Sequence, residues 1–100
     1  EQARYLGQLV EQADPLELVA PIGLDIVCFR YNPGGQDNEA LNRLNQALLV
    51  ELQESGVAAP SCTTLNGKYC LRVAISNHRS RFEDFDALVE AVLRIGSQLA

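Results

Sequence analysis

Apolar positions along the chain change period several times, and each change predicts an element. Leu6, Leu9, Val10 and Ala13 recur at the spacing that lines one face of a helix over residues 3–13. Asp14-Pro15 stops it, because the residue before a proline avoids the helical region. Leu16 to Ala20 and, after Pro21-Ile22-Gly23, Leu24 to Tyr31 predict two strands. The second is rich in β-branched and aromatic residues, with Ile26, Val27 and Phe29, and reads as well buried. Asn32-Pro33-Gly34-Gly35 is a loop by composition. The stripe Leu41, Leu44, Leu48, Leu49 and Leu52 predicts a second helix, with Asp37 or Asn38 as N-cap. Gly56 is placed to end it in a left-handed conformation.

Thr63-Thr64-Leu65 and Lys68-Tyr69 flank Asn66-Gly67, the strongest short hairpin signal a sequence offers, and the returning strand runs from Tyr69 to Ser76. Ser80 and Glu83 have the spacing of a capping box, in which each side chain satisfies the other's free backbone donor. A third amphipathic stripe follows at Phe85, Leu88, Val89, Val92 and Leu93. The order α-β-β-α-β-β-α predicts an α+β domain of two layers, an antiparallel-rich sheet of about four strands with helices on one face. The other face is left to meet solvent or another domain.

Composition narrows the picture. A chain of 100 residues with 47% apolar types supports one compact domain over residues 1–100. Glu1 at the start and no methionine anywhere read as an excised piece of a longer chain. A net charge of -5 with scattered arginines argues against nucleic acid, whose phosphates need clustered cations. No apolar run approaches the roughly 20 residues of a membrane span, and no signal-peptide pattern opens the chain. Cys28, Cys62 and Cys70 are odd in number and lack CxxC spacing. Cys28 and Cys70 lie in apolar strand runs, which reads as reduced, buried thiols of a cytoplasmic protein. With His78 as the sole histidine, no zinc site is expected.

Candidate chemistry centres on one strand. Alternation along Tyr69–Ser76 sends Tyr69, Leu71, Val73 and Ile75 to one side and Cys70, Arg72, Ala74 and Ser76 to the other. Arg72, among small neighbours on its own face, is suited to grip a carboxylate with its two-pronged guanidinium. A solvated or salt-bridged arginine fits the same pattern. Arg30 ends another strand and carries the same two readings, an ion pair at a core or domain edge being the plainer one. His78 follows the Arg72 strand in a loop, a surface position whose pKa would permit proton transfer beside a substrate. Pro33-Gly34-Gly35 lacks the GxGxxG or Walker pattern of a phosphate cradle. Pattern alone stops at an α+β domain with one free sheet face.

Two stretches carry a resemblance. Leu16-Glu17-Leu18-Val19-Ala20-Pro21, running on to Ile26-Val27-Cys28-Phe29-Arg30, resembles the segment that opens the C-terminal small domain of group II pyridoxal-phosphate-dependent decarboxylases. This is the family of aromatic-L-amino-acid, tyrosine, histidine and glutamate decarboxylases. Tyr69-Cys70-Leu71-Arg72-Val73-Ala74-Ile75-Ser76-Asn77-His78-Arg79, with Phe85-Asp86-Ala87-Leu88-Val89, looks like the end of the same domain.

The resemblance implies the small domain of a fold-type-I enzyme, an obligate homodimer that removes the α-carboxylate of an amino acid as carbon dioxide. Its cofactor, pyridoxal 5'-phosphate, is held by a lysine and an aspartate of the large domain, which makes the ring an electron sink. The sole lysine here, Lys68, follows the hairpin turn, so this segment is expected to bind no cofactor and to be inactive alone. Its implied partner is the large cofactor-binding domain of the same polypeptide, whose cleft it closes. In the glutamate-specific branch the arginine of the matching strand lies near the substrate carboxylate. That makes Arg72 and His78 substrate-proximal candidates, with Arg30 and Phe29 as candidates for packing between domains. The stretch Tyr69-Cys70-Leu71-Arg72 looks more like the aromatic-amino-acid branch. A free-standing small-molecule-binding or protein-interaction module using the same face is the alternative, and a transaminase would share the architecture.

Overall fold

The computed structural model describes residues 2–20, 26–56, 60–74 and 82–100. Their order is α1 (Gln2–Gln12), β1 (Leu16–Leu18), β2 (Ile26–Tyr31), α2 (Asn38–Ser55), β3 (Ser61–Leu65), β4 (Lys68–Ala74) and α3 (Phe82–Leu99). This is the expected α-β-β-α-β-β-α succession. β1 ends two residues short of the apolar run that predicts it. The predicted N-cap Ser80 and the end of the β4 run, Ile75-Ser76, lie outside the described residues.

The helix termini follow their local chemistry. Asp37 caps α2, its Oδ1 accepting the Ala40 amide at 2.8 Å. Gly56 ends the same helix at φ 76°, where a side chain would be strained. Between β3 and β4, Asn66 at φ 52° and Gly67 at φ 77° make a two-residue turn with both central residues left-handed, the geometry whose twist matches paired strands.

The sheet runs β1-β2-β4-β3, antiparallel throughout. Val27, Phe29 and Tyr31 of β2 and Leu71 of β4 point to one side, where Leu6 and Val10 of α1, Leu48 and Leu52 of α2, and Val92 of α3 complete the core. All three helices therefore lie on that side, because burying one apolar stripe of each helix against one face of a sheet completes a two-layer core. A methyl group at Gly96 of α3 would lie 2.6–2.8 Å from the Tyr31 ring, so α3 approaches β2 at a distance that only glycine allows. Tyr5 on α1 donates to Asp86 Oδ1 on α3 at 2.6 Å and ties those helices together.

The β2–β4 ladder stops before the end of β2. Among the described residues it runs from Ile26↔Ala74 to Phe29↔Leu71 and does not extend to Tyr31 and Tyr69. Val19 N–H to Cys28 C=O and Asn32 N–H to Pro15 C=O direct the even-numbered β2 residues towards β1. By alternation the Tyr31 amide and carbonyl face β4. Asn45 of α2 meets both: its Oδ1 accepts the Tyr31 amide at 2.8 Å and its Nδ2 donates to the Tyr31 carbonyl at 3.0 Å. Asn42, one turn earlier, accepts the Tyr69 amide at 2.8 Å and donates to the Gly67 carbonyl at 3.0 Å, which Asn38 also reaches at 2.7 Å. Three amides at i, i+4 and i+7 thus form a wedge that satisfies the backbone where the two central strands part.

Candidate functional site

The face of the sheet opposite the helices carries the candidate chemistry. The register puts Cys28 of β2 and Ser61 of β3 on either side of Arg72, so this arginine stands in a row of small side chains on a central strand. It is half-buried. Its Nη1 lies 3.5 Å from Ser61 Oγ, and that hydroxyl donates to the Arg72 carbonyl at 3.3 Å. Among the described residues no carboxylate pairs with Arg72. Most of its five donors are therefore unengaged by the described residues.

Arg30, on the same face, is held inside the chain. It is 5% exposed. Its Nε lies 3.0 Å from Glu17 Oε1 on β1, and its Nη1 donates to Asn38 Oδ1 at 3.0 Å, linking the sheet to the start of α2. Glu17 Oε1 also accepts from Asn32 Nδ2 at 2.8 Å, and Lys68 Nζ stands 3.5 Å from Oε2. The hydrogen bond from Asn32, then Arg30 and Lys68, hold the Glu17 carboxyl below the usual carboxylate range despite the opposing effect of burial.

The thiols form a third group. Cys70 is buried and its Sγ donates to the Thr63 carbonyl at 3.6 Å. Burial, followed by the Cys28 thiol, pushes Cys70 up to about 11, so it stays protonated near neutrality and is a poor nucleophile. The Tyr69 hydroxyl is likewise pushed up to about 12, by burial first and then by Cys62. Cys28, Cys62 and Cys70 are all free. Among the described residues no group of histidine, cysteine and carboxylate side chains could hold a metal ion, and no helix is long and apolar enough to cross a membrane.

Of the residues singled out in the sequence, Arg72 and Arg30 share the open face. Phe29 points the other way and is fully buried beneath the helices. His78 lies outside the described residues. Lys68, 41% exposed, ends the hairpin turn and points to Glu17. Sequence reasoning passed over Asn38, Asn42 and Asn45. Their signal was present: three poor helix formers at i, i+4 and i+7 on the leucine-bearing side of an amphipathic helix.

No family model matches the chain. Tyrosine decarboxylase 4 of Petroselinum crispum is 38% identical over 77 residues, covering 73% of this chain and 15% of the relative. The aromatic-L-amino-acid decarboxylase of Bacillus atrophaeus is 28% identical over 99 residues, 98% of this chain and 21% of the relative. Among solved structures, the Oryza sativa TDC with pyridoxal phosphate and tryptamine superimposes with a TM-score of 0.88 at 23% identity, over 97% of this chain and 21% of that one. The glutamate decarboxylase domain of a diaminobutyrate-pyruvate transaminase and L-2,4-diaminobutyrate decarboxylase from Vibrio parahaemolyticus gives 0.84 at 28% identity, over 97% and 20%. The chain thus spans about a fifth of the length of these relatives, or less. In sequence and in fold together, the chain is thus similar to one segment of the tyrosine and aromatic-L-amino-acid decarboxylases, which are pyridoxal-phosphate-dependent enzymes of group II.

Proposed function

We propose that this chain is the C-terminal small domain of a pyridoxal-phosphate-dependent L-amino-acid decarboxylase acting on an aromatic amino acid. Its open sheet face docks on the large cofactor-binding domain of the same polypeptide and closes one side of the active-site cleft. The complete enzyme is a cytoplasmic homodimer, and the chemistry of decarboxylation resides outside these residues. The observation that carries this reading is Arg72: half-buried, on a central strand, turned away from the helices and paired with no carboxylate among the described residues. A guanidinium so placed is worth most when a carboxylate meets it.

The residues present do not fit the cofactor. Lys68, the one lysine of the chain, stands half-exposed at a hairpin end and is engaged by Glu17. Among the described residues, a pocket lined by Ala40, Arg43, Leu44 and Leu99 lies between the start of α2 and the end of α3, in the helical layer and away from the open sheet face. The cofactor is therefore assigned to the large domain, and mixing the 100-residue chain with pyridoxal 5'-phosphate should leave the absorbance of the free cofactor unchanged.

Arg72 holds the substrate carboxylate, with His78 in the following segment as its neighbour, while Arg30 supports the docked face. A contact made to the carboxylate before it leaves stabilises the bound substrate as much as the transition state, so its loss falls mainly on KM. Charge-assisted hydrogen bonds of about 1.5–3 kcal/mol correspond to a rise of roughly 10- to 150-fold. Arg72→Ala in the complete polypeptide should raise KM in that range with a smaller change in kcat, and Arg72→Lys should recover part of it. Unchanged kinetics in Arg72→Ala would remove the residue from the site.

A further inference from the structure

Arg72 is not held evenly by its two cross-strand neighbours. The register sets Cys28 of β2 on one side of it and Ser61 of β3 on the other. A thiol is a weak acceptor, whereas a hydroxyl oxygen offers two lone pairs. The guanidinium engages the hydroxyl: Nη1 donates to Ser61 Oγ at 3.5 Å, its one side-chain hydrogen bond among the described residues. The hydroxyl is itself oriented. Its hydrogen goes to the Arg72 carbonyl at 3.3 Å, which leaves the oxygen lone pairs to the guanidinium of the same residue. Backbone and side chain of Arg72 thus meet at one Oγ.

The other two cations of this face are held differently. Arg30 and Lys68 both pair with the Glu17 carboxylate, at 3.0 and 3.5 Å, and that charge is matched within the chain. A neutral hydroxyl orients a guanidinium without matching its charge. Ser61 is also well anchored for this: Pro60 before it is buried, with φ fixed by its ring, and the ladder pairs Ser61 directly with Arg72. Arginine gives up much rotamer freedom when it is immobilised, so an acceptor that narrows its range beforehand lowers the cost of binding. Both contacts are long for their kind, so the grip is light and its effect small.

Given the assignment of Arg72 to the substrate carboxylate, on which this rests, we propose that Ser61 is the positioning residue of Arg72. Its hydroxyl steers the guanidinium and leaves the charge unmatched, so the two-pronged edge is turned before a carboxylate arrives. Ser61 itself touches no substrate. Its influence passes through Arg72 alone and is confined to ligands that carry the carboxylate.

Steady-state kinetics of the complete polypeptide test this. Ser61→Ala should raise KM for the amino acid roughly three- to fivefold, the reach of one neutral hydrogen bond, with little change in kcat. Ser61→Thr keeps the hydroxyl and should stay within about twofold of the parent. The product amine has lost the carboxylate, so its inhibition constant should be the same for the parent and Ser61→Ala. Equal weakening of amine and amino acid is what loosened packing would give, and it overturns the proposal. In the Arg72→Ala background, Ser61→Ala should have no further effect on KM, because the group it acts through is gone. A rise repeated in that background overturns the proposal too. If Arg72→Ala alone leaves KM unchanged, the carboxylate assignment falls and this role with it. If Arg72→Ala raises KM and Ser61→Ala does not, only the positioning role falls.

Discussion

Replacing Asn45 with alanine tests whether the amide wedge holds the sheet together. Asn45 is 0% exposed and makes three hydrogen bonds. The one to the Leu41 carbonyl at 2.8 Å is dispensable, because that carbonyl also has its helical partner. The Tyr31 amide and carbonyl have no such reserve, since β4 has already turned away from them. Each buried backbone group left unpaired costs about 1–3 kcal/mol, and alanine returns about 0.6 kcal/mol through its better helix propensity. The net loss is about 2–5 kcal/mol, a large fraction of the ~5–15 kcal/mol that holds a typical domain. In urea, with a slope of ~1.5 kcal/mol per molar, the unfolding midpoint should fall by roughly 1.5–3 M. Asn42→Ala is the internal control. Asn42 is half-buried, so water can reach the Tyr69 amide and Gly67 carbonyl that it serves, and the expected loss is under about 1 kcal/mol. Equal midpoints for the two variants would refute the reasoning.

Two further outcomes follow from the packing and the charge network. Gly96→Ala would stabilise an exposed helix by about 1 kcal/mol, but its methyl group would meet the Tyr31 ring. A net loss of about 1–3 kcal/mol is expected, a melting temperature lower by several degrees, and recovery when Tyr31→Leu is added; a rise in melting temperature in Gly96→Ala alone would disprove the close approach. Glu17, with its folded-state pKa depressed by Asn32, Arg30 and Lys68, stabilises the fold above the ordinary carboxylate range. That contribution is lost as pH falls through the folded value, because the unfolded chain then binds the proton more readily. Urea midpoints measured from pH 7 to pH 3 should fall more steeply for the parent than for Glu17→Gln, and parallel curves would show that the network does not couple to folding.

Much of the fold was legible in the sequence because its signals are local. Asn66-Gly67 announces its turn, Asp37 and Gly56 announce the ends of α2, and the leucine stripe of α2 lies in the core from Leu41 to Leu52. Strand alternation also separated Arg72 from Leu71 correctly. Long-range register was less visible. That β2 and β4 stop pairing at Phe29 and Leu71 depends on contacts between residues about 40 positions apart, and so does the need for Asn45. Arg30 shows the same limit: its anchoring by Glu17 and Asn38 draws on three elements, while the sequence offered only a charge at a strand end. Phe29 followed its strand's alternation inward, beyond the reach of any docked surface.

The amide wedge also bears on how such a domain could be retuned. With four residue pairs joining β2 to β4 among the described residues and none at Tyr31, part of the spacing between the two halves of the sheet is set from the helical side, by Asn38, Asn42 and Asn45. Arg30 and Arg72 stand on either half, and Arg30 touches Asn38 directly. A change of side-chain length in α2 could therefore alter the distance between two cations on the opposite face without replacing either one. Residues that no docked partner would contact would then be adjustment points for the surface it meets.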